Sequence, residues 1–155
     1  MFDGKIGFAP GSSGRRFIFS DNSTNHFCEI DSAKKFGGYQ ASVDLVLNAD
    51  TMYRARMSIL ADVTRYDIID SGIHTASTSR QHAGAYGNLY LFRIDNQYAG
   101  SGHRIGRCKI YVNDEVIRDF LPVMKNGVAC MYEQIEETFY ANAGSGDFIA
   151  GPRKS

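Results

Sequence analysis

Apolar and polar positions alternate along most of the chain, in runs too short for helices. Residues 39–47 alternate apolar and polar positions, as a strand with one solvated face requires; residues 51–59 and 65–69 read the same way around a turn at residues 60–64. Residues 49–62 are rich in Ala, Met, Arg and Leu, which favour helix. Their apolar positions hold no i, i+3, i+4 stripe, so a strand is expected there. Residues 16–20 and 26–30 are aromatic-rich runs separated by Asp21-Asn22-Ser23-Thr24-Asn25, a loop composition. Residues 88–94 are dense in Leu and aromatics and read as a strand buried on both faces.

The last third carries the clearest turns. Asn113-Asp114 joins the alternating runs 107–112 and 115–120, and both residues tolerate positive φ. Asn126-Gly127, the preferred pair for a type I′ turn, joins 122–125 to 128–132. Residues 138–140 and 147–149 are short final runs linked by Asn142-Ala143-Gly144-Ser145-Gly146. About ten brief strands at spacings of about 8–12 residues predict an all-β sandwich or barrel. With no repeat, linker or low-complexity tract, residues 1–155 read as a single domain, long enough to bury about two-thirds of its unfolded surface.

Charge narrows the function. Seventeen Lys and Arg balance seventeen Asp and Glu, so the broad basic field that draws a protein to nucleic acid is missing, and no nucleic-acid partner is expected. No apolar run is long enough to span a bilayer. The opening Met1-Phe2-Asp3-Gly4-Lys5 has no secretory pattern, so intracellular synthesis is expected. Cys28, Cys108 and Cys130 are odd in number and without a CxxC pair, and read as thiols acting as small hydrophobes.

The runs Asn88-Leu89-Tyr90-Leu91-Phe92, Ile105-Gly106-Arg107-Cys108-Lys109-Ile110-Tyr111 and Val116-Ile117-Arg118-Asp119-Phe120-Leu121-Pro122-Val123 resemble the closing half of the LamG-like jelly-roll family. So does the ending Gly127-Val128-Ala129-Cys130-Met131-Tyr132, Thr138-Phe139-Tyr140 and residues 142–152. The match is dense over residues 87–152, weaker over 53–74 and faint before. The resemblance implies a concanavalin A-like, two-sheet antiparallel sandwich of the kind found in phage and prophage structural proteins and in Gram-positive bacterial surface proteins. That family usually has further strands upstream of a segment like residues 5–19. A sandwich missing an opening strand exposes a sheet edge, open to a partner subunit or a second copy; a trimmed fold, or a piece of a longer chain, accounts for it equally. Within Arg118-Asp119-Phe120, Asp119 is expected to accept bonds from backbone N–H groups while Phe120 enters the core.

Candidate chemistry is sparse. Ser12, in Gly11-Ser12-Ser13-Gly14, lacks the strand–turn–helix setting of a nucleophile and reads as a turn. A glycoside hydrolase needs two carboxylates about 5–5.5 Å apart for a retaining mechanism. No strand carries a matching pair, and the cluster Glu133-Gln134-Ile135-Glu136-Glu137 reads as a solvated loop, so catalysis is not expected. His26, His74, His82 and His103 show no ligand spacing. Some LamG-like domains bind calcium; here Asp21 and Asn22, or Asp95 and Asn96, offer hard oxygen ligands, although turn chemistry explains them as well.

Binding remains. Asp95, Asn96, Gln97, Tyr98, His103 and Arg104 place amide, carboxylate, imidazole and guanidinium groups beside an aromatic ring, and residues 80–86 add Tyr86. Sugars are held by planar polar groups against paired hydroxyls and by an aromatic face against the ring, and loops on a β-scaffold are where such sites form. The expectation is a non-catalytic module that recognises bacterial surface glycan or receptor within a phage tail apparatus. The alternative is a free-standing phage protein that binds and inhibits a host protein of the defence type.

Overall fold

Fifteen strands and no helix build the described part of the molecule. A computed structural model describes residues 1–20, 27–38, 40–60, 63–70, 72–79, 90–94, 97–98, 102–142 and 148–151, with backbone alone at 93, 94, 97 and 98. In chain order the strands are β1 (Phe2–Phe8), β2 (Arg16–Ser20), β3 (Phe27–Ile30), β4 (Phe36–Gly38), β5 (Ala41–Ser42), β6 (Tyr53–Ile59), β7 (Thr64–Ile68) and β8 (His74–Thr78). They continue with β9 (Tyr90–Leu91), β10 (Arg93–Ile94), β11 (Gln97–Tyr98), β12 (His103–Val112), β13 (Glu115–Lys125), β14 (Val128–Glu133) and β15 (Thr138–Tyr140).

The fold is an all-β, two-sheet antiparallel sandwich. One sheet has eight strands in the order β15-β14-β13-β12-β1-β6-β7-β8; the other has five, β5-β4-β3-β2-β9; β10 and β11 form a separate ribbon. Neither sheet closes on itself. Period-two burial explains the large sheet: Tyr53, Ala55 and Met57 of β6 face the core, while Arg54 and Arg56 between them face solvent. Across the two sheets Phe2 stacks on Phe19 with centroids 5.4 Å apart, and Phe36 meets Tyr66 edge-on at 6.0 Å. Ile6, Ile18, Cys28, Ile30, Ile68, Cys108 and Ile110 complete this core.

The first strand is an interior one. β1 is bonded to β12 on one side and β6 on the other, and the Met1 amine donates to the Tyr111 carbonyl at 2.7 Å. Among the described residues the sheet edges lie at β8 and β15, and at β5 and β9. Strand β13 is shared along its length: β12 pairs with its first half, ending at Cys108 opposite Phe120, and β14 pairs with its second, from Phe120 opposite Glu133 to Lys125 opposite Val128. Pro122, which has no N–H, falls in the half beyond the β12 register. Asn113 (φ 49°), Asp114 (φ 63°), Asn126 (φ 51°) and Gly127 (φ 80°) take the conformations their hairpins require.

Two strand expectations change. Residues 40–47 do alternate, with Val43 and Leu47 buried, yet only Ala41–Ser42 joins a ladder. The segment folds back on the β4 turn instead, where the Val43 N–H bonds the Phe36 carbonyl and the Leu47 N–H bonds the Lys34 carbonyl, each at 2.8 Å. The run 88–94 is broken at Phe92, whose φ of 61° ends β9, and its Tyr90 and Leu91 are only half-buried. It is β2 that is buried at every position, with Phe17 on the face away from the core, edge-on to Phe27 and under the Arg15 guanidinium.

Two residue readings change as well. Glu133 is not part of a solvated loop: it ends β14 fully buried, and its carboxylate accepts the N–H groups of Asp119 (2.7 Å) and Glu136 (2.6 Å). Asp119 in turn takes side-chain rather than backbone donors, from Arg107 at 2.9 and 2.6 Å. Phe120 is half-buried against the core and edge-on to Tyr140.

Candidate functional site

His103 and Arg104 open β12 at one end of the sandwich. Gly102 delivers them there: its φ is 77°, and a Cβ on it would lie 2.7 Å from the Ser12 Cβ, so only glycine fits. The Ala9 N–H bonds the Gly102 carbonyl at 2.8 Å and the Ser12 hydroxyl donates to the Ala9 carbonyl at 2.6 Å, which locks the 9–15 turn against this end. Ser12 is thus a turn residue.

His103 pairs with Phe8, and Arg104 pairs with Gly7, where a Cβ would lie 2.6 Å from the Thr51 carbonyl oxygen of the adjoining turn. The His103 ring stacks on Phe92 at 4.9 Å with a 27° tilt, and Phe92 meets Phe148 edge-on at 6.1 Å. The His103 Nδ1 is buried without a hydrogen-bond partner among the described residues. Burial first, then the nearby Arg16 charge, push the His103 pKa down to about 4, so the ring is neutral near pH 7. Arg16 is itself buried, its guanidinium over the Phe8 ring at 4.8 Å and bonded to the Ser12 carbonyl at 2.6 Å. Arg104 turns outward to Asp50 at 2.5 Å, and both side chains are well exposed. Asp50 has φ 60° and donates its N–H to the Phe8 carbonyl at 2.9 Å, so the 48–52 turn brings the pair together.

Stability should respond to this ring. Between its ordinary value of 6.5 and the folded value near 4, the unfolded chain binds a proton that the folded chain refuses. The contribution is therefore complete above pH 6.5 and declines as pH falls towards 4. Chemical denaturation across that window should show the decline in the native chain and its loss in His103→Phe; an identical slope in both would overturn the assignment.

Of the sequence-derived site residues, the structure brings together His103 and Arg104 and adds Phe92 and Asp50. Tyr86, Asp95 and Asn96 lie outside the described residues, as do Asp21 and Asn22 of the calcium reading. Gln97 and Tyr98 form β11 against Ile94 and Arg93, with no side-chain placement described. Sequence reasoning missed Phe92 because it read the residue as mid-strand, and Asp50 because a salt bridge across 54 positions has no local signal. Among the described residues no group of three or more His, Cys, Asp or Glu is placed to hold a metal ion. The three cysteines are buried free thiols, and burial pushes Cys108 up to about 12.

A separate shallow depression of about 210 Å³ lies over β3 to β5, lined by Glu29, Asp31, Gly37, Gln40 and Ser42. Its acids are engaged: Glu29 accepts from Arg15 at 2.7 and 2.6 Å, and Asp31 accepts the Lys35 N–H at 2.9 Å. Compared with protein-family models, with curated proteins and with solved structures, the chain matches none.

Proposed function

We propose that the chain is a non-catalytic binding module of LamG-like, concanavalin A-like type, phage-derived, which recognises bacterial surface glycan through the loops around the start of β12. The observation that supports this most is the His103 ring: a polar atom buried without a partner among the described residues, stacked on an aromatic face, next in sequence to an exposed guanidinium–carboxylate pair. A buried polar nitrogen without a bond is unfavourable by about 1–3 kcal/mol, a deficit that a ligand hydroxyl would relieve once the ring turns to expose Nδ1. Arg104 and Asp50 add the planar donors and acceptors that paired hydroxyls need, and Asp95, Asn96, Gln97, Tyr98 and Tyr86 belong to the same reading.

The test is an array of bacterial surface glycans probed with the purified chain, followed by calorimetric titration of the sugars retained. Binding should weaken at least tenfold in Arg104→Ala, with stability unchanged within about 0.5 kcal/mol, as for an exposed position. The second reading, a phage protein that binds and inhibits a host protein, draws on the exposed apolar residues at the β13–β15 end: Met124, Val128, Phe139 and Tyr140 are each more than two-fifths exposed. No sugar bound at millimolar concentration, with a stoichiometric host protein retained instead, would replace the first reading by the second.

A further inference from the structure

A row of polar and charged side chains crosses the outer face of the eight-stranded sheet, in register over six strands. Thr75 on β8 stands opposite Asp67 on β7, and Asp67 opposite Arg56 on β6. Arg56 stands opposite Asp3 on β1, Asp3 opposite Lys109 on β12, and Lys109 opposite Asp119 on β13. Arg54, Arg65 and Arg107 flank the row. Asp3 accepts from Arg54 at 3.0 and 2.9 Å and from Arg56 at 3.2 and 2.8 Å. Asp119 accepts from Arg107 and lies 3.3 Å from the Lys109 ammonium; Asp67 accepts from Arg65 at 2.8 Å and from the Thr75 hydroxyl at 2.7 Å.

The layering sets the sign of the surface. The Asp3, Asp67 and Asp119 side chains are 8%, 7% and 10% exposed, whereas those of Arg54, Arg56, Arg65, Arg107 and Lys109 are 33% to 50% exposed. Three acids lie beneath five bases, so the face presents positive charge on a chain whose formal net charge is zero. The acids also fix the guanidinium orientations before a ligand arrives, Asp3 holding Arg54 and Arg56 through Nε and Nη2; this lowers the ordering entropy of binding an oxyanion through the remaining guanidinium N–H groups. Arg54, Arg56 and Arg65 converge with Asp67, Ile69 and the exposed Ile73 on a depression of about 160 Å³.

We infer that this face is a second binding surface, and that its ligand is an acidic glycan, a saccharide chain carrying carboxylate or phosphate groups, held by Arg54, Arg56 and Arg65. Cations on β6 and β12 are separated by one strand, about 9–10 Å, so an extended polyanion lying across the strands meets a base at each step. A protein partner fits less well, because protein interfaces place aromatic and apolar anchors at their centre and charge at the rim, the reverse of this face. A nucleic acid fits less well, since among the described residues the row itself holds no aromatic ring, and Tyr111 beside Arg54 and Arg107 is one ring rather than the succession on which bases stack. The inference rests on the binding-module reading for the ligand class alone and uses none of the residues at the start of β12.

The experiment titrates the full chain with a hexameric uronate, a phosphodiester-linked sugar oligomer, a neutral hexasaccharide and single-stranded DNA, in salt of about 20 and about 200 mM. An acidic oligomer should bind, the neutral one should not, and affinity should fall at least fivefold at the higher salt; preference between the two acidic oligomers identifies the oxyanion. The Arg54→Gln/Arg56→Gln double variant should lose at least tenfold. Since that change uncovers Asp3, Arg65→Gln is the second variant: Asp67 keeps the Thr75 hydroxyl, and a loss of threefold or more is expected with the chain still folded by circular dichroism. Arg104→Ala should bind the acidic oligomer as the native chain does. Failure of both acidic oligomers, equal or tighter binding of DNA, or unchanged affinity in Arg65→Gln would overturn the inference. A loss confined to Arg104→Ala would overturn it too, while sparing the loop site.

Discussion

Gly38→Ala should lower the stability of the folded chain by about 3 kcal/mol or more, among the largest effects of adding one methyl group. A Cβ on Gly38 would lie 2.3 Å from the Phe27 carbonyl oxygen, 2.2 Å from the Tyr66 hydroxyl and 2.6 Å from the ring carbon that bears it. Phe27 belongs to the small sheet and Tyr66 to the large one, so this glycine marks a close approach between the two layers. Tyr66 is fully buried, donates to the Phe27 carbonyl at 3.3 Å and packs edge-on against Phe36, so it has no free space to rotate into. Tyr66→Phe alone should lose about 1 kcal/mol, the worth of one hydrogen bond. Combined with Gly38→Ala it should recover only part of the damage, because the backbone carbonyl stays in place. Urea unfolding reads both: a lowered midpoint at unchanged slope is expected. A Gly38→Ala chain within about 1 kcal/mol of native would refute the close approach.

Glu133→Ala is the second large change, with an expected loss of about 3 kcal/mol. The side chain is fully buried, and its two carboxylate oxygens tie the Asp119 N–H of β13 and the Glu136 N–H of the turn into β15. Alanine leaves both donors without that acceptor and opens a hole. Glu133→Gln keeps the shape and one acceptor oxygen, and should recover about half. Burial alone would raise the Glu133 pKa, but the backbone N–H bonds and the Arg118 charge outweigh it and hold the carboxyl below its usual range. A depressed carboxyl stabilises the fold above its ordinary value of 4.5, and that contribution disappears as pH falls below it. Asp3 and Asp119, also held low under their arginines against the pull of burial, act in the same window. Acid denaturation should therefore proceed in two stages, the His103 decline between pH 6.5 and 4 and a carboxylate decline below it. Glu133→Gln should soften only the second; softening of the first would contradict the assignment.

The candidate binding end shows how far local pattern reaches. His103 and Arg104 were legible as polar groups in a glycine-bounded loop, because such loops announce themselves in composition. Their surroundings were not. Asp50 reaches Arg104 only because β1 lies beside β12 and its end carries the 48–52 turn. Phe92 stacks on His103 only because its positive φ breaks a run that reads as one continuous strand. The cation row on the outer face is an extreme case: its members come from six strands, and each alone looks like an ordinary polar position on a wet face.

By itself, the sequence determined the all-β class, the wet and dry faces of strands such as β6, and the hairpins at Asn113-Asp114 and Asn126-Gly127. These follow from side-chain period and backbone tolerance within a few neighbouring residues. Only the tertiary structure decided that the first strand sits mid-sheet, that Glu133 is a buried brace, and which acids lie beneath which arginines. Those depend on cross-strand register between segments more than 100 positions apart, as where Gly4 meets the backbone of Cys108 and Lys109 stands opposite Asp3, and local period carries no information about register at that distance.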